Sequence, residues 1–162
     1  METWELIARE SIRDLVARYN ANGDTGRFDQ LMELFAPDAV MDVDGEVYEG
    51  REQIRTIFTS AAGSLKEHTE QRSAPLYLRH NTSTLQIDVE SETFARGRCY
   101  YFVIMAHGLD HWGRYIDEYA PVDGVWKFKR RREKLDGRIE SSWAGRAARA
   151  RETEQRKAGQ QS

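Results

Sequence analysis

Arg18-Tyr19-Asn20-Ala21-Asn22-Gly23-Asp24-Thr25-Gly26-Arg27-Phe28-Asp29-Gln30-Leu31-Met32-Glu33-Leu34-Phe35-Ala36-Pro37-Asp38-Ala39-Val40-Met41-Asp42-Val43 reads as the end of one helix, an elbow, a second helix and a first strand. Upstream, Trp4, Ala8, Ile12, Leu15, Val16 and Tyr19 recur at helical spacing, which predicts a helix over about residues 3–21. Asn22-Gly23 breaks it. Asp24 or Thr25 is placed to cap a second helix with a stripe of Phe28, Leu31, Met32 and Phe35, stopped by Pro37. Ala39 to Val43 follow as a strand, and Asp44-Gly45 signals a hairpin to Glu46–Tyr48. The elbow therefore sets one carboxylate, Asp24, where two helices meet a sheet. That position suits a pocket, and it equally suits a helix cap.

Beyond the hairpin, Gly50 precedes a third helix in which Ile54, Ile57, Phe58, Ala61 and Leu65 keep the i, i+3, i+4, i+7 spacing. Lys66 to Pro75 reads as a polar connector. After Leu76 the period becomes alternating: Leu85, Ile87 and Val89, then Phe94 to Met105, Gly113 to Ala120, and Val125 to Arg132 after an Asp123-Gly124 turn. Three helices followed by a long antiparallel meander is an α+β pattern. Residues 1–143 are expected to form one domain. Residues 144–162, with five basic and two acidic side chains and no apolar stripe, read as a charged helix or tail.

Composition removes several function classes. Twenty-seven acids against 24 bases give a formal charge of −3, too balanced for a nucleic-acid binder. No apolar run nears the ~20 residues of a membrane span, and the N-terminus lacks a signal-peptide profile, so a cytoplasmic location is expected. Cys99 is the lone cysteine, which excludes an internal disulfide and a cysteine-based zinc cluster.

Several phrases carry a family resemblance: Arg18-Tyr19 with Asp24, Leu34-Phe35-Ala36-Pro37-Asp38-Ala39-Val40, Tyr48-Glu49-Gly50-Arg51, Arg79-His80-Asn81, Gly113-Arg114-Tyr115, and Asp123-Gly124-Val125-Trp126-Lys127-Phe128. Over about residues 7–135 the chain resembles the nuclear-transport-factor-2-like superfamily, SnoaL-like branch. Within it, the look is nearest to scytalone dehydratase, bile-acid 7α-dehydratase and hexachlorocyclohexane dehydrochlorinase. The resemblance implies a cone-shaped barrel of strongly bent antiparallel sheet closed by three N-terminal helices. It also implies cofactor-free elimination on a ring substrate, and a homo-oligomer, trimer or dimer. The family's aspartate–histidine pair falls on Asp24 and His80, and its pocket tyrosine on Tyr19. A second proton-transfer group, carried by some relatives on the next strand, falls near Val103 to Met105, which is apolar here; His107 stands about two residues away.

His80 is the sharpest candidate, because an imidazole with an ordinary pKa near 6.5 accepts protons at neutral pH and a carboxylate behind it fixes its tautomer. The plain alternative is a satisfied strand-end histidine with Asp24 as a cap. Strict alternation also puts His80 on the face opposite Leu85, Ile87 and Val89. A shared pocket therefore requires a sharp bend or a bulge between Asn81 and Leu85, for which Thr82-Ser83-Thr84 is the place. On the following strand Tyr101, Val103 and Met105 share a parity with Cys99 and are expected to line the pocket. Tyr115 belongs with them, and Trp112 at the rim or in an intersubunit contact. Cys99 is read as a buried small residue. Asp117 is a second-choice acid or a cross-strand partner of the Lys129–Arg132 run. His107, Asp110 and His111 are read as a solvent-exposed turn in preference to a metal site, so no metal is expected.

Two functions follow as expectations. The first is a lyase (dehydratase or dehydrohalogenase type) or isomerase acting without cofactor on a hydrophobic, cyclic small molecule through His80 and Asp24. The second is a non-catalytic small-molecule-binding or partner subunit of the same fold. An open, largely apolar cavity holding both side chains within hydrogen-bond reach discriminates between them.

Overall fold

The structure is a computed structural model that describes residues 1–70 and 78–146. The elements are α1 (Thr3–Asp24), α2 (Phe28–Glu33), β1 (Phe35–Val43), β2 (Glu46–Glu49), α3 (Gly50–Glu70), β3 (Leu78–Ser91), β4 (Phe94–Met105), β5 (Gly108–Val122) and β6 (Val125–Arg138). A helical turn at 143–146 follows. The expected tail from 147 onward, and residues 71–77 of the expected connector, lie outside the described residues. The connector does not begin at Lys66, because α3 runs on through Glu70.

All six strands form one sheet in the order β2-β1-β6-β5-β4-β3. The sheet is open and mixed. The expected closed, wholly antiparallel barrel is therefore wrong on both counts: β2 and β3 are free edges, and β1 runs parallel to β6. Closure would require β3, 14 residues long, to pair with a β2 of four. Helices cover the core face instead, α1 lying against β3 and β6 and α3 against β1.

Both Asp-Gly turns form as read. Asp44 and Gly45 have φ of 51° and 97°, and Asp123 and Gly124 have 51° and 75°, the left-handed pair that matches the twist of a two-residue hairpin. The second helix is shorter than its apolar stripe. Phe35 leaves it to begin β1, where it meets Phe128 of β6 at a ring separation of 5.3 Å. Pro37 lies in the irregular stretch between the Phe35 and Val40 pairings, where a strand tolerates the missing N–H. Ile12, Val16, Leu31, Phe35, Met41, Ile54, Val103 and Phe128 form the dry centre of the core. Trp4, expected on the buried face of α1, is exposed.

Gly113 shows how tightly β4, β5 and β6 close on one another. A Cβ built there would lie 2.1 Å from the Lys134 carbonyl oxygen and 2.9 Å from the Tyr101 ring. Gly113→Ala must push backbone apart, and overpacking of this kind costs about 1–3 kcal/mol. A lowered urea midpoint with unchanged slope is the expected result.

Candidate functional site

The elbow does not cap α2. α1 continues three residues past its expected end, so Asp24 is its last residue, and α2 starts from Arg27 with no side-chain cap. A carboxylate at a helix C-terminus faces the negative end of the macrodipole, and no basic residue occupies that last turn. Helix stability does not explain Asp24. Its partner does: Asp24 Oδ2 accepts the backbone N–H of His80 at 2.9 Å, and Oδ1 lies 2.6 Å from His80 Nδ1. The Asp24 side chain is 6% exposed while the His80 ring keeps 23%, so the carboxylate is desolvated and the imidazole retains an open edge.

His80 reaches the core face through the irregularity that strict alternation demanded. The β3–β4 register shifts between Ser83 and Gln86, and Thr84 takes a φ of 53°. Inward parity thus passes from Leu78, His80 and Thr82 to Leu85, Ile87 and Val89.

A cavity of about 330 Å³ opens beside the pair. α1 contributes Tyr19, Asn20 and Asp24; α3 contributes Ile57, Phe58, Ala61 and Leu65 from its apolar stripe, with Ala62 beside them. The sheet adds Met41, Leu78, His80, His111, Tyr115 and Glu133, and Trp143 closes one side from the C-terminal turn. The Trp143 indole N–H donates to Ser64 Oγ on α3 at 3.2 Å, holding that wall to the helix. Asn20 is buried, and its Oδ1 has no hydrogen-bond partner.

Of the expected substrate contacts, Tyr19 and Tyr115 line this cavity. Burial raises the Tyr19 hydroxyl well above its ordinary pKa, outweighing the nearby Arg131 charge, so it stays a proton donor. Tyr101, Val103, Met105 and Trp112 are not among the lining residues. Tyr101 stacks on Tyr115 with centroids 4.5 Å apart and spends its hydroxyl on Glu133 Oε1 at 2.7 Å, behind the two cavity histidines. Val103 and Met105 are plain core. Trp112 faces away from the cavity and lies over Gly137, where a Cβ would come within 2.3 Å of its ring. Burial pushes the Cys99 thiol up to about 11, in keeping with a packing role. Asp117 is the cross-strand partner of Arg131.

The largest correction concerns Asp110 and His111: the β4–β5 turn at Ala106 and His107 is exposed as expected, but these two residues lie beyond it in β5 and face inward. Asp110 is fully buried and His111 nearly so. Asp110 accepts from His111 Nδ1 at 2.8 Å and from the backbone N–H groups of Trp143 and Ala144 at 2.9 and 3.2 Å, and His107 Nε2 lies 3.1 Å away. Among the described residues no set of three His, Cys, Asp or Glu side chains is arranged to hold a metal. Burial alone would raise the Asp110 carboxyl. The His111 and backbone hydrogen bonds outweigh it and hold the group below its ordinary 3.8. A lowered folded pKa gives stability above that ordinary value, lost as pH falls through the folded one. Acidification below about pH 4 should therefore release the turn at 143–146, seen as loss of protection at the Trp143 and Ala144 amides.

Helices laid over one face of an open mixed sheet, with a mainly apolar cavity between them, define the nuclear-transport-factor-2-like, or cystatin-like, architecture. Residues 4–132 match the SnoaL-like domain, and the chain belongs to that family. Among solved structures it is similar to a protein of unknown function from Mycobacterium tuberculosis, with 26% identity and a TM-score of 0.69 over 84% of this chain and 76% of that one. A scytalone dehydratase candidate from Novosphingobium aromaticivorans gives 23% and 0.71 over 86% and 91%. A hexachlorocyclohexane dehydrochlorinase from Novosphingobium barchaimii gives 20% and 0.69 over 84% and 91%. At such identities the last two speak for the fold alone. No curated protein matches the chain. No helix among the described residues is long and apolar enough to cross a membrane.

Proposed function

We propose that the protein is a cofactor-free lyase or isomerase that takes a proton from carbon on a hydrophobic, cyclic small molecule, with His80 as base. The observation that carries this reading is the Asp24–His80 contact of 2.6 Å at the wall of a mainly apolar cavity. Asp24 bonded to Nδ1 leaves Nε2 as the accepting nitrogen and stabilises the imidazolium that forms. Tyr19, from the C-terminal end of α1, is the donor for the oxyanion that develops next to the carbanion. The apolar walls from α3 suit a ring and keep water from competing for the base. Elimination follows where the substrate carries a leaving group, isomerisation where the proton returns elsewhere.

The test uses one- and two-ring ketones in deuterated water, with and without a β-hydroxyl or β-acetoxy group. Exchange at the α-carbon reports proton removal alone. Wild type should exchange and eliminate, and His80→Ala should lose about 10²–10⁴-fold in both while keeping its circular dichroism and melting profile. A His80→Ala variant with full turnover, or a wild type that binds the ketones and transforms none, would leave only a binding module.

A further inference from the structure

Resting on the reading of this cavity as the substrate site, we propose that Glu133 is a specificity-determining residue. It accepts a hydrogen bond from a hydroxyl that the ring substrate carries away from the carbon His80 deprotonates and apart from any leaving group. Among the described residues two carboxylates line the cavity, Asp24 and Glu133. The first is spent on His80. Glu133 comes from β6, where it pairs with Tyr115 of β5 and Val43 of β1. His80 comes from β3, and β4 and β5 lie between the two in the sheet. Base and carboxylate therefore address different parts of one ligand.

Glu133 is a held group, with one oxygen fixed and the other free. Tyr101 donates to Oε1 at 2.7 Å. Burial, and after it the Glu133 charge, raises the Tyr101 hydroxyl well above its ordinary pKa, so it stays a donor. Gly113 makes the reach possible. It stands between Tyr101 and Leu135 in the ladder, and a Cβ there would meet the Tyr101 hydroxyl at 2.9 Å. Oε2 has no hydrogen-bond or ion-pair partner among the described residues. Nor is it sealed from solvent, as the unpartnered Asn20 Oδ1 and Arg131 Nη1 are. It is an open acceptor in a mainly apolar cavity.

That acceptor sets the chemistry of its partner. A carboxylate accepts hydrogen bonds and donates none, so the ligand must bring the donor. A hydroxyl has one O–H to place. A protonated primary amine has three N–H groups to satisfy, and each left unpaired in an apolar cavity is costly. An ether, a halogen or a hydrocarbon edge brings no donor and leaves Oε2 desolvated and unpaired. A ligand carboxylate or phosphate meets like charge. The substrate class is thus a ring ketone with a hydroxyl, alcoholic or phenolic, remote from its acidic C–H.

Calorimetric titration separates this assignment from the chemistry at His80. The ligands are two-ring ketones with a hydroxyl at successive positions of the ring remote from the carbonyl, each paired with its methyl ether. For at least one position, wild type should bind the hydroxy ketone about 10–10²-fold more tightly than the ether, the worth of a hydrogen bond to a charged acceptor. Glu133→Gln can still receive the Tyr101 hydroxyl on its amide oxygen, but its NH2 then stands where Oε2 stood. The pair should come within a few-fold of each other. Tyr101→Phe keeps the carboxylate, so the preference should survive there. A purely structural Glu133 would shift both ligands alike and leave their ratio unchanged. No preference at any position in wild type, or a preference that Glu133→Gln does not move, would overturn the assignment. Deuterium exchange at the α-carbon of the same ketones tests His80 independently: preference without exchange removes the base and keeps Glu133, and exchange without preference does the reverse.

Discussion

Asp117→Ala should cost the fold about 3–5 kcal/mol, the range for removing one partner from a buried ion pair. Arg131 is fully buried, with its guanidinium 4.0 to 4.2 Å from the ring centres of Tyr19, Tyr115 and Phe128. Its Nε and Nη2 donate to the two oxygens of Asp117 at 2.8 and 2.7 Å, and Tyr119 donates to the same carboxylate at 2.8 Å. Burial acts against the charge, but Asp117 more than restores it and raises the Arg131 pKa well above its ordinary value. Without the carboxylate, the cation is left among aromatic faces alone. Cation–π attraction of about 0.5–2 kcal/mol does not replace two charge-assisted hydrogen bonds. A loss of this size is a third or more of the about 5–15 kcal/mol that holds a typical domain together. Urea unfolding measures it. A change under ~1 kcal/mol would mean that the pair is not desolvated as described. The consequence reaches the cavity, because Tyr19 and Tyr115 both pack against the guanidinium and also line the site.

Asp24→Asn should remove most of the proton-abstraction rate while leaving the fold intact. The amide can still accept the His80 backbone N–H through its oxygen, so the elbow stays tied to β3. Its NH2 then faces His80 Nδ1 and donates to it. The imidazole tautomer reverses, and Nε2 presents a proton to the substrate in place of a lone pair. The expected loss is about 10²–10⁴-fold in kcat/KM, the worth of a positioned general base. Helix stability should not fall, since a neutral side chain at the C-terminus of α1 relieves an unfavourable dipole contact. A variant that stays active with a lowered melting temperature would recast Asp24 as a structural tie.

What sequence makes legible here follows the range of each signal. Local turn chemistry gave both Asp-Gly hairpins, and period-2 alternation gave β4 with its actual ends. The same alternation, applied strictly to β3, showed that His80 needed a bulge before Leu85, and Thr84 supplies it. Sheet closure is a long-range property that no local signal carries, and it is the structure that leaves the four-residue β2 as a free edge. His111 was missed for a related reason. Gly108 and two nearby histidines look like a loop, and only the pairing of β5 with β4 and β6 extends the strand back to Gly108 and turns His111 inward. Asp110 reads as a turn acid until Trp143 and Ala144, more than thirty residues on, are seen to donate to it. Tyr101, Val103 and Met105 were given the right face, but a face wider than the cavity it borders.

The most direct test of the Asp24–His80 unit is a double-mutant cycle on α-proton exchange, comparing His80→Ala, Asp24→Asn and the two combined. If the carboxylate acts only through the imidazole, the combined variant loses no more than His80→Ala alone, because Asp24 then has nothing to orient. Losses that multiply, with the double variant far below either single one, would show two residues acting separately and contradict the account.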